Sequence, residues 1–252
     1  MTIIQAIILG IVQGLTEFLP VSSSAHLIII QRFMELKGPI LLVFDVVVHL
    51  GTLGAIVIFF AKAIFPLSKL GIRMFLLIVV ASIPTALIGF GLKDWVESLF
   101  STVRLVGFAL LVNSMILWST RWCKDRCSRE LKSWLDALWI GIIQGIAVTP
   151  GISRSGSTIS AALWRGIRAE DAFKFSFLIA IPAILGATVV VIPESIELMP
   201  QGVLPVMVTG FVSAFISGFI ALRCLSRIVI KGQFHHFAWY TLVIGIIAII
   251  FS

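Results

Sequence analysis

Charge is what this 252-residue sequence has least of: 12% of its residues are Asp, Glu, Lys or Arg, where soluble domains carry roughly 25%. With 59% apolar side chains and a mean hydropathy of +1.11, a water-soluble globule is excluded. Disorder is excluded too, because a disordered chain needs low hydrophobicity. Acidic residues are scarcer than basic ones, 12 against 19. The basic residues stand singly between apolar runs and form no long stripe. No nucleic-acid partner is therefore expected, and the positive charge reads as membrane orientation. The first residues, MTIIQAIILGIVQG, lack a basic start and a small-residue cleavage site. They are expected to belong to the mature fold rather than to a removable signal peptide. Cysteine is rare and odd in number: Cys123, Cys127 and Cys224. No His or second pair completes a metal site around the first two, so reduced cytoplasmic thiols are expected.

What the sequence does have is long apolar runs. A helix crosses the hydrocarbon core with about 20 apolar residues, the range being roughly 17 to 25. Six segments approach that length, at 38–61, 74–92, 105–120, 175–193, 203–222 and 237–251. Trp residues gather near their ends, as interfacial anchors do. Two other apolar stretches, near 2–34 and 137–165, are cut at their centres by Gly, Pro and polar residues. Irregular backbone survives at membrane depth only where protein or a wet cavity satisfies it. These stretches are expected to be re-entrant helix pairs that mark a site.

The two broken stretches echo each other. Gly10-Ile11-Val12-Gln13-Gly14 recurs as Gly141-Ile142-Ile143-Gln144-Gly145, and each is followed by a Pro and a Ser-rich run, Pro20-Val21-Ser22-Ser23-Ser24 and Pro150-Gly151-Ile152-Ser153-Arg154-Ser155. Three candidate spans follow each echo, so the second half must enter the membrane from the opposite face. The expected fold is an all-α integral membrane protein, a single domain over 1–252. It is an inverted repeat of halves at about 1–130 and 131–252, each a re-entrant hairpin plus three transmembrane helices. With Arg154 held at membrane depth, this layout puts 4 Lys and Arg on one side and 14 on the other. The richer side is cytoplasmic by the positive-inside rule, so both termini are expected outside.

The chemistry sits in the hairpins. Gln13 and Glu17, four apart, share one helix face. Pro20 stops that helix, and Ser22 or Ser23 is suited to cap a second helix carrying His26 in its first turn. An ionisable side chain at membrane depth marks a functional site, although Glu17 and His26 could instead pair to fasten the hairpin. The second hairpin offers Ser153, Arg154, Ser155, Gly156, Ser157 and Thr158 around a helix start, where free N–H groups and the dipole favour anions. Arg154 adds a fork suited to phosphate oxygens, or could rest in a bridge with Glu17. A base, hydroxyls and a His on one hairpin and an anion clamp on the other suit phosphoryl transfer. Glu17 would activate Ser23 or a water, and His26 would bind phosphate or protonate the leaving oxygen. Gln13, Ser22, Ser24, Ser153, Ser155, Gly156 and Thr158 are the candidate substrate contacts. Asp45 and His49, also four apart, could support the first hairpin. No run matches a P-loop, and Ser160 occupies the place where the S-R-x5-H pattern of acid-phosphatase-like lipid phosphatases needs His.

The runs QGLTEFLPVSSSAHL (13–27) and PGISRSGST (150–158), with FSFLIAIPA (175–183), resemble the motifs of the bacterial undecaprenyl-pyrophosphate phosphatase family, also known for bacitracin resistance. The resemblance covers nearly the whole chain. It implies a multi-pass enzyme of the bacterial cytoplasmic (inner) membrane that removes the terminal phosphate of a polyprenyl pyrophosphate carrier. The carrier would be recycled for peptidoglycan and other envelope polymers, with the active site facing the periplasm. By motif position the resemblance makes Glu17 the essential acid, Ser23 the nucleophile, His26 the essential histidine and Arg154 the phosphate-binding arginine. It also implies a divalent cation, Mg2+ or Ca2+, whose ligands stay open, Glu17 being the carboxylate at hand. The family accepts Glu or Gln where Gln13 stands, and Gln leaves one carboxylate, too few for a metal held by protein alone. Ala25 replaces a Gly common before the His. A homodimer is compatible with such a protein. So is a different class, a transporter built from the same broken-helix repeats, and release of inorganic phosphate by purified protein separates the two.

Overall fold

The computed structural model describes residues 1–38, 40–64, 71–91, 102–123, 126–197 and 202–251, the side chains of 191–197 excepted. Lys69, Lys93, Lys124 and Ser252, which bear on the expected orientation, lie outside them. The described residues are helical throughout apart from turns and one isolated bridge between Arg129 and Ile167. The main helices are α1 (Ile3–Phe18), α2 (Ser23–Phe33), α3 (Ile40–Phe59), α4 (Ile72–Gly91), α5 (Val103–Ser119), α6 (Trp134–Ile146), α7 (Arg154–Trp164), α8 (Ala169–Glu197), α9 (Leu204–Ile230) and α10 (Phe237–Ile250), with a single helical turn at Ala61–Ile64.

Five of these elements are long and apolar enough to cross a membrane: α3, α4, α5 with the turn after it, α8 and α9. The segment expected at 237–251 is different. It forms α10, 14 residues long, which at 1.5 Å per residue reaches about 21 Å. The 3-10 turn Phe234–His236 before it extends the apolar helix to Phe234–Ile250, at the short end of the roughly 17 to 25 residues a span takes. Two other elements outrun their apolar runs. The α8 helix starts six positions before 175, because Glu170 and Asp171 fall in its first turn and complement the positive end of the dipole. The α9 helix continues to Ile230 with Arg227 in its last turn, which suits the negative end.

Both broken stretches break at their prolines. The chain leaves α1 after Phe18 and re-enters helix at Ser23, and it leaves α6 after Ile146 and re-enters at Arg154. What surrounds each pair is equally regular. The α1 helix lies in close contact with α9, and α6 with α4, while α5 lies along α10 and α3 along α8. Small residues permit these approaches, as expected where apolar solvent offers no hydrophobic drive between helices. A Cβ on Gly10 would sit 2.6 Å from the Gly210 carbonyl, and one on Gly141 would strike the Ala81 backbone. Gly141→Ala should therefore lower stability by about 1–3 kcal/mol, the usual cost of overpacking. The check is thermal or denaturant unfolding in detergent. A variant as stable as the parent would mean that α4 and α6 can separate freely.

Polar ties fix the base of each hairpin. Gln31 at the end of α2 donates to Asp45 Oδ1 on α3 at 2.8 Å. The fully buried Asp136 at the start of α6 receives both guanidinium nitrogens of Arg129, at 2.7 and 3.1 Å, and Arg165 Nε at 2.8 Å. That carboxylate joins the loop before α6 to the end of α7. The three cysteines are unpaired. Burial, with Cys123 beside it, pushes the Cys127 thiol up to about 11. Among the described residues no group of three or more His, Cys, Asp or Glu could hold a metal ion.

Candidate active site

One carboxylate organises the centre. Glu17, in the last turn of α1, has a side chain only 5% exposed, and four groups converge on it. From the turn before, Gln13 donates its Nε2 to Glu17 Oε2 at 3.0 Å, as the shared helix face requires. Ser23, the first residue of α2, donates its hydroxyl to the same oxygen at 2.6 Å. Across the hairpin boundary Arg154 pairs with Oε1 through one terminal nitrogen, while its other one reaches the Ala180 carbonyl at 3.4 Å. His49 Nε2 on α3 stands 3.6 Å from Oε2. The two motif runs thus meet at a buried ion pair with a hydroxyl aimed into it.

The turn between α1 and α2 is strained in a way that explains its bonding. Ser22 has φ +68°, a left-handed conformation that an L-residue adopts at a cost of about 1–3 kcal/mol. This backbone turns the Ser22 carbonyl onto His26 Nδ1 at 2.8 Å. Its hydroxyl accepts from the Gly151 amide at 3.2 Å and meets Ser24 Oγ at the same distance. Ser22 therefore precedes α2 without capping it through its side chain, and it ties the first hairpin to the second instead. Ser153 does cap its helix, accepting from the Gly156 amide at 3.1 Å and contacting Ser155 Oγ at 3.1 Å. Thr158 lies deeper. Its hydroxyl donates to the Arg154 carbonyl at 2.8 Å and meets Ser176 on α8 at 2.5 Å.

His26 does not join the carboxylate. Among the described residues its ring is bonded to Ser22 and, through Nε2, to the Tyr240 hydroxyl at 2.8 Å. Glu17 and His26 therefore do not fasten the hairpin to each other.

Two residues that motif reading passed over help build the site. Asn113, on α5 and fully buried, donates to the Pro20 carbonyl and accepts from the Ser153 amide, both at 3.0 Å. It holds the two hairpin turns together from a third helix. It is the only Asn in the chain, and Tyr240 is the only Tyr. A lone polar residue in an apolar span is a signal that hydropathy alone provides. Asn113→Leu should leave a buried carbonyl and a buried amide unpaired, each worth about 1–3 kcal/mol. Both the melting temperature and activity should fall, and Asn113→Asp, which can still accept from Ser153, should lose less. Equal losses in the two variants would show that the Ser153 bond does not matter.

The residues offer a divalent cation little of their own. Among the described residues Glu17 is the carboxylate that joins the two hairpins, with Arg154 on one oxygen and Ser23 and Gln13 on the other. Gln13 Oε1, however, is buried without a partner. A carboxylate and an amide oxygen fit a hard cation whose other ligands come from substrate phosphates and water. They do not fit one caged by protein.

The family described as Bacitracin resistance protein BacA matches residues 6–247. The chain belongs to the BacA family. Similar relatives include a protein of Carboxydothermus hydrogenoformans, 44% identical over 96% of this chain and 94% of its own length. Another, from Alkaliphilus metalliredigens, is 40% identical over all of this chain and 99% of its own. A third, from Desulforapulum autotrophicum, is 42% identical over 99% and 98%. Each is named undecaprenyl-diphosphatase. The BacA match takes in both hairpins, so Glu17, Ser23, His26 and Arg154 all fall within it.

Proposed function

We propose that this BacA-family chain is an undecaprenyl-diphosphatase. It hydrolyses undecaprenyl pyrophosphate to undecaprenyl phosphate and inorganic phosphate, and so recycles the lipid carrier for peptidoglycan and other envelope polymers. The observation that carries this reading is the Ser23 hydroxyl donating at 2.6 Å to Glu17, itself paired with Arg154. A hydroxyl bonded to a base is how a weak nucleophile is activated.

The terminal phosphoryl group of the substrate enters beside Ser23. Arg154 exchanges its Glu17 oxygen for phosphate oxygens, its planar fork matching two of them. The start of α7, capped by Ser153, adds the positive end of a helix dipole. Ser155 and Gly156 lie in the same turn, and Ser24 meets the Ser22 hydroxyl that accepts from the Gly151 amide. Glu17 takes the Ser23 proton as Oγ bonds to the terminal phosphorus. The bridging P–O bond breaks, and undecaprenyl phosphate leaves with its electron pair. Glu17 passes that proton to the departing phosphate oxygen. Water then attacks phosphorus, Glu17 taking one proton from it and returning it to Ser23 Oγ as the phosphoserine P–O bond breaks, and inorganic phosphate is released. A Mg2+ or Ca2+ ion held by Glu17 and Gln13 together with the pyrophosphate would neutralise charge on the phosphate oxygens.

The architecture we infer is a single membrane domain of two inverted halves, about 1–130 and 131–252, with α1–α2 and α6–α7 as re-entrant pairs. The packing supports it: α1 lies on α9 of the other half as α6 lies on α4, with Gly10 and Gly141 at corresponding close approaches. Charge supports the orientation, with the Lys- and Arg-rich side in the cytoplasm. Both termini are then outside, and the site serves the periplasmic face of the inner membrane.

Purified protein in detergent should release inorganic phosphate from undecaprenyl pyrophosphate, and a protein that binds the lipid without releasing phosphate would refute the reading. For orientation, Thr2→Cys in a cysteine-free background should react with an impermeant maleimide on intact cells. Ser128→Cys should react only after permeabilisation. A protected Thr2→Cys would overturn the inverted arrangement.

A further inference from the structure

His26 reaches its environment through two ring nitrogens, and both are occupied. Nδ1 lies 2.8 Å from the Ser22 carbonyl, which can only accept, so Nδ1 carries a proton. In the neutral ring Nε2 is then a bare lone pair, and the Tyr240 hydroxyl at 2.8 Å is its donor. The two rings lie almost parallel, 7° apart in plane, with centroids separated by 5.7 Å. His26 is 8% exposed. Tyr240 stands at the other end of the sequence, in the first turn of α10, 214 positions from His26.

An interfacial tyrosine ordinarily lays its ring in lipid and turns its hydroxyl toward water or head groups. Tyr240 does the reverse. The residue is 45% exposed and lines a mostly apolar cavity of about 480 Å³ with Leu15, Leu19, Val21 and Phe237, where Thr16 and Gln233 are among the polar lining residues, while its hydroxyl points inward at a buried imidazole. That cavity borders the turn between α1 and α2 through Leu19 and Val21.

We propose that Tyr240 is a positioning residue for the phosphatase reaction: its hydroxyl, with the Ser22 carbonyl, fixes the tautomer and ring orientation of His26. The inference rests on the proposed activity for its kinetic consequence but not for its structural one. Ser22 secures one edge of the ring from within the hairpin. Tyr240 secures the other from the final helix, so the histidine is aligned only when α10 is seated. Without the hydroxyl, Nε2 has no fixed partner, and the imidazole is free to turn or to exchange tautomers. Any role of His26 at the phosphate passes through that alignment.

Tyr240→Phe removes the hydroxyl and keeps the ring stacked on His26, so packing is preserved. Turnover of undecaprenyl pyrophosphate should fall at least about tenfold, as expected when the turn that carries Ser22 and Ser23, held by His26 through the Ser22 carbonyl, loses its fixed geometry. KM should stay within about twofold, and the melting temperature should fall only modestly, by what the loss of one hydrogen bond to a buried nitrogen requires. In a His26→Gln background the same substitution should cost almost nothing more, since residues acting as a unit are not additive. Ring-15N NMR, with His26 assigned from His26→Gln, should show one Nδ1–H tautomer in the parent and an averaged pair of nitrogens in Tyr240→Phe. Unchanged turnover with unchanged His26 nitrogens would overturn the proposal, as would an equal kinetic loss with and without His26. Should the parent release no phosphate, the activity reading fails, yet the nitrogen signals still decide whether Tyr240 holds His26.

Discussion

Ser23→Ala should lower phosphate release from undecaprenyl pyrophosphate by roughly three orders of magnitude, within the range a positioned acid–base pair supplies. The fold should be intact, because Ser23 is only partly buried and, among the described residues, its side chain bonds to Glu17 alone. Glu17→Ala should lose comparable activity. It should also lose stability, since it strips Arg154 of its buried partner. The double variant should be little slower than either single one if nucleophile and base act as a unit. A water activated directly by Glu17 gives a different pattern: Ser23→Ala then keeps substantial turnover while Glu17→Ala does not. The neighbouring serines separate by structure. Ser22→Ala removes the acceptor of the Gly151 amide and should cost about 1–3 kcal/mol of stability. Ser24→Ala loses only its contact with Ser22 and should fall between the other two in its effect on turnover. Phosphate-release rates on variants matched for folding decide among these outcomes.

Arg154→Lys should reduce turnover by about 10²–10³-fold, as removal of a donor aimed at developing phosphate charge does, while leaving the protein folded. A lysine keeps one positive charge beside Glu17 and so still compensates the buried carboxylate. It loses the planar fork that can hold two phosphate oxygens while the second guanidinium nitrogen faces the Ala180 carbonyl. Arg154→Ala is the contrast. It leaves Glu17 buried and unpaired, at a cost of about 3–5 kcal/mol, and should lose both stability and activity. Steady-state kinetics and thermal unfolding of the two variants separate the roles. If Arg154→Lys turns over normally but melts early, the arginine is a bridge partner and the phosphate is held by other groups.

Local spacing determined much of this protein. Hydropathy placed α3, α4 and α5 to within two residues at each end, because burial in lipid rewards any continuous apolar run, while α8 begins six residues before its expected start and α9 runs eight beyond its expected end. The helix ends shifted where charged residues suited the dipole, as at Glu170 and Arg227. The four-residue interval put Gln13 and Glu17 on one face, and Pro20 and Pro150 ended α1 and α6 close to where they stand. Glu17, Ser23 and Arg154 were legible as candidates because ionisable and hydroxyl groups are costly in an apolar setting and seldom occur there without a partner.

The partners themselves were decided by tertiary structure. Spacing could not say that Arg154 would reach Glu17 across 137 positions while His26, nine residues from Glu17, would turn away to Tyr240. Nor could it give Asn113 its place between the two turns. Ser22 looked like a helix cap by residue type, but its positive φ aimed the hydroxyl at Gly151 and the carbonyl at His26. Periodicity fixes which side chains share a face of one helix. Which groups meet across helices depends on how closely backbones approach, and here that is set by Gly10, Gly14 and Gly141 against α9 and α4. The sequence by itself determined the helices and the residues with chemistry to offer. The packing of α1 on α9 and α6 on α4 decided that one carboxylate would collect a hydroxyl and a guanidinium, and that the histidine would be held from the last helix.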